Sequence, residues 1–331
     1  MKVRIFNHDE NLNSKKDEIN ILNLEDLLIH MIYTDGEEDK PVRIVVDTET
    51  NKAIMVKYGM NSRENCIKDE ASNTEYLSSL NIPHIIRFEF KSILTDAVLL
   101  GTEYIRTCKL QNNKECINFR QLSKINDHLN FKYAMLQIII TLSYLQETYR
   151  GFRHNDFKAD NILIENSPKS NLIYKLKFQN KYKCFRLRNC QVFAKIIDFE
   201  LANTIDEKNI SSQTVLNSRN NYLSKDFGLS PLQCDAFDIH LLIIDILKNV
   251  QEDNLAFKKF VYDFFPIIYF FSPNITIQSR LTLQSQEEIQ FKIRNQNFLY
   301  DMLSHPYFFD LRDDEMESCD YFYNFDDKVV T

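Results

Sequence analysis

The sequence predicts an α+β fold in which strands come first and long helices follow. Short runs rich in β-branched and aromatic residues lie in the first third of the chain, at 41–47, 53–58, 84–90 and 97–105. Two longer apolar runs come later, at 131–149 and 234–245. Apolar runs of about four to eight residues are typical of strands and longer ones of helices. A chain that is mostly strands in its first third and carries its longest apolar helical runs later favours an α+β architecture.

The composition is that of an ordinary soluble globular protein. The chain has 331 residues, of which 44% are hydrophobic and 26% charged, enough for one large two-lobed domain or two ordinary ones. It contains no apolar run of about eighteen residues that could cross a bilayer, and residues 1–10 are too polar for a signal peptide. We therefore expect a cytoplasmic protein with no membrane partner.

Cysteine usage and charge exclude two classes of function. The 7 cysteines are scattered, without the Cys/His spacing of a zinc site, so we expect reduced structural thiols. The net charge of -7 argues against nucleic-acid binding by the whole surface but leaves a local basic patch possible.

The first predicted strands form a hairpin that carries a lysine, and a helix follows them. The runs 41–47 and 53–58 are joined by a polar turn, which predicts a hairpin with Lys57 at the end of its second strand. A helix is predicted over 62–80, ended by Pro83.

The stretch 151–165 carries the densest polar pattern of the chain. His154, Asp156, Lys158 and Asn161 form an H-x-D-x-K-x-x-N loop directly before an apolar strand-like run. A second acidic centre follows as Ile-Ile-Asp-Phe-Glu, with Asp198 in the middle. The two motifs resemble the catalytic loop and the metal-binding turn of the protein-kinase-like phosphotransferases.

The resemblance implies a bilobal fold, with a small β-rich N-lobe and a larger, mainly helical C-lobe, that uses ATP and Mg²⁺. It makes Asp156 the residue that orients the substrate hydroxyl and places Lys158 near the transferred phosphate. It makes Asn161 and Asp198 the magnesium ligands, and both offer the hard oxygen donors that this ion prefers. His154 is expected to pack beside Phe199 as a structural residue.

The resemblance also assigns the nucleotide contacts. Residues 54–57 resemble the strand V-A-I-K, whose lysine holds the α- and β-phosphates, here Lys57. Glu70 is the predicted ion-pair partner of Lys57, chosen over Glu75 because only Glu70 lies one helical turn from Asn73, where the family spacing falls. The adenine is expected beside the hinge and the floor of the cleft, at Glu103, Ile105 and Leu163.

Several positions depart from the family pattern. No G-x-G-x-x-G precedes Lys57, and only Gly36 lies in that region. Glu200 replaces the glycine of D-F-G, and Asn155 replaces the arginine that reads phosphorylation in many protein kinases, so regulation of that kind is not expected. An A-P-E motif is also missing between Glu200 and Asp235.

Two of these departures are shared with a rival family. Choline, ethanolamine and aminoglycoside kinases have loops that resemble H-N-D-x-x-x-x-N followed by I-D-x-E. Against them stand Lys158, the long gap from Asp198 to Asp238, and the ending His-Pro-Tyr-Phe at 305–308, which resembles the last helix of protein kinases. Asp238 matches the buried aspartate that accepts backbone N–H groups of the catalytic loop.

The predicted domains are an N-terminal extension (1–35), an N-lobe (36–105), a C-lobe (106–310) and an acidic tail (311–331). Within the C-lobe, 166–194 is an insertion in which apolar and basic residues alternate, which predicts a β-hairpin with a cationic face. An acidic or nucleic-acid partner at 169–188 is one interpretation, and a solvated face is the other. The basic residues are Lys169, Lys175, Lys177, Lys181, Lys183, Arg186 and Arg188.

The sequence thus predicts a kinase that transfers the γ-phosphate of ATP to serine or threonine hydroxyls of protein substrates. The basic insertion, the D-F-E turn and the missing A-P-E resemble the divergent serine/threonine kinases of large DNA viruses such as iridoviruses and ascoviruses. We therefore expect a viral protein, located in the host cytoplasm or in the virion. The alternatives are a choline/aminoglycoside-type small-molecule kinase and a pseudokinase scaffold.

Overall fold

The structure is a computed structural model, and it describes most but not all of the chain. The described residues are 2–7, 12, 18–21, 23, 26–27, 30–31, 42–60, 64–94, 97–106, 108–110, 115–178, 181–206, 208–218, 236–247, 249–265, 298–312 and 321–324. Gly36 and most of the predicted acidic tail lie outside these residues.

The N-terminal part is an antiparallel six-stranded sheet in the order β2-β1-β3-β4-β6-β5. Its strands are β1 (Lys2–Asn7), β2 (Ile19–Asn20), β3 (Val42–Asp47), β4 (Ala53–Met60), β5 (Phe88–Ile93) and β6 (Ala97–Glu103). β1 pairs with β3 along its length, and Val3 and Phe6 on β1 are buried. Residues within the predicted extension 1–35 thus contribute to this sheet.

The hairpin predicted from the runs 41–47 and 53–58 is confirmed as β3 and β4, with Ile44 opposite Met55. Its turn forms because the carboxylate of Asp47 accepts hydrogen bonds from the backbone N–H of Glu49 (3.0 Å) and the hydroxyl of Thr50 (2.7 Å). Asn51 completes the turn in the left-handed region, at φ 54°, which asparagine tolerates. Lys57 is therefore held at a defined position, but it lies inside β4 and not at its end as predicted, because the strand continues to Met60.

The predicted helix over 62–80 is observed as α1 (Glu64–Ser79), and it packs on the sheet. Ile67 and Ala71 on its apolar face contact Val98 and Leu100 on β6. The run predicted as a strand at 84–90 joins the sheet only at Phe88, so its first half was assigned wrongly.

The reason is that this first half bonds to a different partner. Ile86 donates to the carbonyl of Ile196 (3.1 Å), and Ile196 donates to the carbonyl of His84 (2.8 Å). These backbone groups are satisfied by the C-terminal part of the molecule, so they connect the two parts.

The C-terminal part is mainly helical. Its helices are α2 (Phe119–Ser123), α3 (His128–Thr148), α4 (Gln213–Ser218), α5 (Phe237–Leu247), α6 (Leu255–Phe264) and α7 (Phe298–Ser304). α3 is the central one: Asp127 caps its first turn by accepting from the N–H of Asn130 (3.1 Å), and its middle is buried almost all round. Gly151 follows α3 with φ +70°, where a Cβ would lie 2.5 Å from Ile205. Only glycine suits this position, and the chain turns here into the polar loop.

A long β-hairpin and a short strand complete the C-terminal part. β9 (Ile162–Phe178) and β10 (Lys181–Ile196) pair antiparallel, as the alternation predicts, and β11 (Tyr321–Asn324) pairs in parallel with β9. Two further strands, β7 (Cys108–Lys109) and β8 (Glu115–Cys116), form a small ribbon. The hairpin begins directly after Asn161 and ends two residues before Asp198.

The cationic face of this hairpin is smaller than the alternation predicts. Lys175 and Lys177 lie on it, with their ammonium groups 4.2 and 5.7 Å from the ring of Tyr182. Lys183 pairs across the strands with buried Leu176 on the opposite face, hydrogen-bonds Ser304 and lies over the ring of Tyr300 at 3.7 Å. Arg186 is only 9% exposed. An acidic or nucleic-acid partner here stays a prediction. In the described part of the chain, no helix combines the length and apolarity that a membrane crossing requires.

Truncation of a buried side chain in α3 tests this account of the core. Ile139 is 0% exposed, whereas Leu129 on the same helix is 51% exposed. We expect Ile139→Ala to lower the free energy of unfolding by about 2 to 5 kcal/mol, because it leaves a cavity. Leu129→Ala should change it by less than about 0.5 kcal/mol. Urea denaturation followed by circular dichroism measures both, and equal losses would contradict the burial described above.

Candidate active site

The polar loop after α3 is held from below by a buried carboxylate. Asp238, at the start of α5 and 0% exposed, accepts hydrogen bonds from the backbone N–H groups of His154 (2.8 Å) and Asn155 (3.0 Å). Burial raises the pKa of Asp238, while His154, Arg153 and the two N–H groups oppose the rise. The predicted role of Asp238 is confirmed.

His154 is a packing residue, as predicted. Its ring lies 5.2 Å from the ring of Phe157 and 5.0 Å from that of Phe199, and Nε2 lies 2.9 Å from the carbonyl oxygen of Ile197. The imidazole is 0% exposed. Because it joins the loop to the residue before Asp198, it aligns the two predicted motifs.

Asp156, Lys158 and Asn161 form one cluster. The ammonium group of Lys158 lies 2.6 Å from Oδ2 of Asp156. The amide of Asn161 donates to the backbone carbonyl (2.9 Å) and to Oδ2 (3.0 Å) of Asp156. The carboxylate is thereby fixed in orientation while its side chain stays 35% exposed, so an outside hydroxyl can reach it.

An ion-pair network that was not predicted from the sequence lies beneath this cluster. Nε of Arg120 lies 2.9 Å from both oxygens of Asp160, and Nη2 lies 2.9 Å from Asp245. Asp245 also accepts from the N–H of Ala159 at 2.8 Å. The network joins α2, the loop and α5 directly beside Asn161. No sequence signal could reveal it, because its members are far apart in the chain.

The second cluster surrounds Lys57. Its ammonium group lies 2.5 Å from Oε2 of Glu70 on α1 and 3.3 Å from Oδ1 of Asp198. Glu75 points away from the site and pairs with Lys91 on β5. Of the two carboxylates considered for Lys57, the structure pairs it with Glu70.

Burial and charge act in opposite directions in this cluster. Burial alone would lower the pKa of Lys57, but the carboxylates of Glu70 and Asp198 raise it above its ordinary value. Burial raises the pKa of Glu70 to about 7, although Lys57 opposes the rise. Burial alone would raise the pKa of Asp198, but Lys57 and His154 hold it below its ordinary value. Lys57 and Asp198 therefore stay charged at neutral pH, and Glu70 titrates there.

A cleft of about 280 Å³ opens between the six-stranded sheet and the start of the β9–β10 hairpin. Six of the predicted site residues line it, namely Lys57, Glu70, Glu103, Ile105, Leu163 and Asp198. The other lining residues were not predicted as site residues; they are Val42, Met55, Thr74, Ile86, Leu100, Thr102, Tyr104, Ile117 and Ile197. Most of them are apolar positions of strands and gave no signal beyond that of a core residue. The carboxylate of Glu103 is held by Lys195 (3.1 Å) and by the N–H of Arg87 (2.8 Å).

The Asp156 cluster does not line the cleft but lies next to it. Ile197 donates to the backbone carbonyl of Asn161 at 3.0 Å, and the charge of Lys158 contributes to the lowered pKa of Asp198. Within the described residues, Glu70, Asp198 and Glu200 have carboxylate oxygens within 4.8 Å of one another, close enough to hold a metal ion. The predicted site residues therefore converge on one region.

Two features define the kinase-like class of fold. One is the lysine–glutamate pair under an antiparallel sheet, and the other is the loop with aspartate, lysine and asparagine beside the same cleft. The sequence profile of the protein kinase domain matches residues 40–225, more than half of the chain. The chain belongs to the protein kinase family.

A viral relative agrees with this assignment. The chain is 31% identical over 145 residues to a protein of Acanthamoeba polyphaga mimivirus that is named as a serine/threonine-protein kinase. The match covers 44% of this chain and 35% of the relative, so it spans about a third of the relative's length.

The pH dependence of stability tests the environment of Glu70. Its pKa is raised from 4.5 to about 7, so the folded state binds the proton more tightly than the unfolded state. Glu70 therefore contributes stability that is present below pH 4.5 and is lost as the pH rises through 7. We expect the melting temperature of wild type to fall across this window and Glu70→Gln to remove that part of the fall.

Glu75→Gln is the matched control, because the Glu75 side chain is 44% exposed. Its melting curve should keep the wild-type pH dependence. Differential scanning calorimetry from pH 4.5 to pH 8 measures all three proteins. Parallel curves for wild type and Glu70→Gln would contradict the raised pKa.

Proposed function

We propose that the protein transfers the γ-phosphate of ATP to serine or threonine hydroxyls of protein substrates. The observation that carries the proposal is the convergence of two clusters on one cleft: Lys57 with Glu70 and Asp198, and Asp156 with Lys158 and Asn161. Phosphoryl transfer depends mainly on positioned charges. These clusters supply charges of both signs at fixed distances.

The residues of the cleft fit a nucleotide. Its apolar walls, including Ile105 and Leu163, suit the faces of a purine, and Lys57 supplies a cation for phosphate oxygens. The ammonium of Lys57 is held between Glu70 and Asp198, so its position is fixed before any ligand arrives. Pre-organisation of this kind lowers the entropic cost of binding.

The donor set also fits a magnesium ion. The amide nitrogen of Asn161 already donates to Asp156, so the side chain has its carbonyl oxygen left to offer a cation. The lowered pKa of Asp198 keeps its carboxylate ionised. When bound, magnesium neutralises charge on the phosphates.

The residues of the loop have separate tasks in this proposal. Asp156 accepts the hydrogen bond of the substrate hydroxyl and so orients it, because its carboxylate is fixed by Asn161 yet partly exposed. Lys158, which is 45% exposed, places a second cation beside the same oxygen atoms. The name of the mimivirus relative supports protein hydroxyls as acceptors.

Replacing the carboxylate of Asp156 tests its role. We expect Asp156→Asn to lower kcat by at least about 100-fold, because the amide cannot accept the hydroxyl proton. The measurement is magnesium-dependent transfer of labelled phosphate from ATP to mixed protein substrates, with choline and aminoglycosides in parallel reactions. Equal activity of Asp156→Asn and wild type would refute the proposal, and transfer to the small molecules alone would favour the choline/aminoglycoside-type alternative.

Ligand-induced stabilisation separates an active kinase from a pseudokinase scaffold without a nucleotide site. Mg·ATP at a hundredfold excess over its Kd should stabilise the native state by about 2.7 kcal/mol, because it binds only the folded protein. We expect Lys57→Met to reduce this thermal shift strongly. Lys52→Met, which removes a half-exposed lysine of the turn before β4, should leave it unchanged. A wild-type protein with no shift would support the scaffold.

A further inference from the structure

One face of α1 carries polar side chains that contact the chain after Asp198. The residues are Cys66, Asp69, Asn73 and Tyr76, at the three- and four-residue spacing that places side chains on one side of a helix. Glu70, which pairs with Lys57, lies on the same helix. The face opposes segment 199–214, of which residue 207 is not described.

Asn73 makes the central contacts. Its amide nitrogen donates to the carbonyl oxygens of Phe199 (2.9 Å), Ala202 (3.3 Å) and Ser211 (3.0 Å), and its carbonyl accepts from the N–H of Ser211 (3.1 Å). Asn73 is 1% exposed. A buried amide that bonds both ends of a segment holds it closed, since each group left unsatisfied costs about 1 to 3 kcal/mol.

Asp69 and Tyr76, which flank Asn73 on α1, also contact the segment, and their partners follow in reverse order along the chain. Asp69 accepts from the N–H of Gln213 at 2.7 Å, and the hydroxyl of Tyr76 accepts from the amide of Asn209 at 3.1 Å. The part of the segment from Asn209 to Gln213 therefore runs antiparallel to α1, along about two helical turns from Tyr76 back to Asp69.

Asn155 holds the same segment from the other side. Its amide donates to the carbonyl oxygen of Leu201 (2.8 Å) and to Oδ1 of Asn203 (2.5 Å). Arg153 and Asn203 exchange two backbone hydrogen bonds of 2.9 Å. Asn155 stands where many protein kinases carry the arginine that reads phosphorylation. The neutral amide of Asn155 instead donates directly to a backbone carbonyl of the segment.

We propose that Asn73 and Asn155 are positioning residues that keep segment 199–214 and α1 in their active arrangement without a phosphoryl group on the chain. The inference rests on the proposed function and adds its regulation. Asn73 and Asn155 supply hydrogen bonds to backbone and amide groups of the segment. Asn73 is itself part of α1, so its bonds also tie the helix that carries Glu70 to the segment.

The test compares wild type with Asn73→Asp and Asn155→Asp, which remove the donor amide at nearly constant size. Asn65→Asp on the same helix is the matched control, because the Asn65 side chain is exposed. We expect each positioning variant to lower kcat about tenfold or more, with the KM for protein substrate changed less than about threefold. Asn65→Asp should stay within about twofold of wild type.

A second arm measures phosphate dependence. Wild type treated with phosphatase, and shown by mass spectrometry to carry no phosphate, should keep its activity within about twofold of the protein preincubated with Mg·ATP. A tenfold loss on dephosphorylation overturns the proposal. Unchanged kcat in both positioning variants overturns it as well.

Hydrogen exchange separates this inference from the proposed function. Asn73→Asp should speed amide exchange in both α1 and segment 199–214, whether or not wild type transfers phosphate. If wild type is inactive, the proposed function fails, and unchanged exchange in the variant then overturns the positioning role on its own. Should Asn73→Asp fail to fold, Asn155→Asp carries the same readouts, with faster exchange expected in segment 199–214.

Discussion

The geometry of the site depends on the buried carboxylate of Asp238. It accepts hydrogen bonds from two backbone N–H groups of the loop. If it moved away, three buried polar groups, the carboxylate and the two N–H groups, would lose these hydrogen bonds. Because α5 is packed in the main core, the loop that is bonded to Asp238 is held in a fixed position relative to that core. The position of Asp156 relative to Asn161 then follows from hydrogen bonds within a few residues.

Much of this arrangement could be predicted because its residues carry local signals. The hairpin of Lys57 was evident from two β-rich runs and a polar turn, and the loop at 151–165 from its dense polar residues. Asp238 and His154 were predicted through family resemblance, and their contacts confirm both. The choice of Glu70 over Glu75 combined the family spacing, which falls on Asn73, with helical spacing, and the ion pair with Lys57 agrees with it.

What could not be predicted depends on contacts between distant parts of the chain. Arg120, Asp160 and Asp245 meet only because α2 and α5 flank the loop. The strand assignment at 84–90 failed because an apolar run does not reveal which neighbour its backbone will bond, and this one bonds β10. Lys183 was counted with the basic residues of the hairpin, but it pairs with Leu176 and so lies on the face opposite Lys175 and Lys177, where the ring of Tyr300 on α7 lies beneath its ammonium group.

The hairpin of β9 and β10 has a consequence for protein engineering. Its first paired residues, Ile162 and Ile196, directly adjoin Asn161 and Ile197, and the strands remain in register for most of their length. Residues added between Phe178 and Lys181 are therefore separated from the site by many hydrogen bonds between β9 and β10. These bonds would resist any displacement of the strands near the site. Loop-closure entropy also rises only slowly with added length. This end of the hairpin is a suitable point at which to graft a reporter domain or an affinity tag onto the C-terminal part of the molecule.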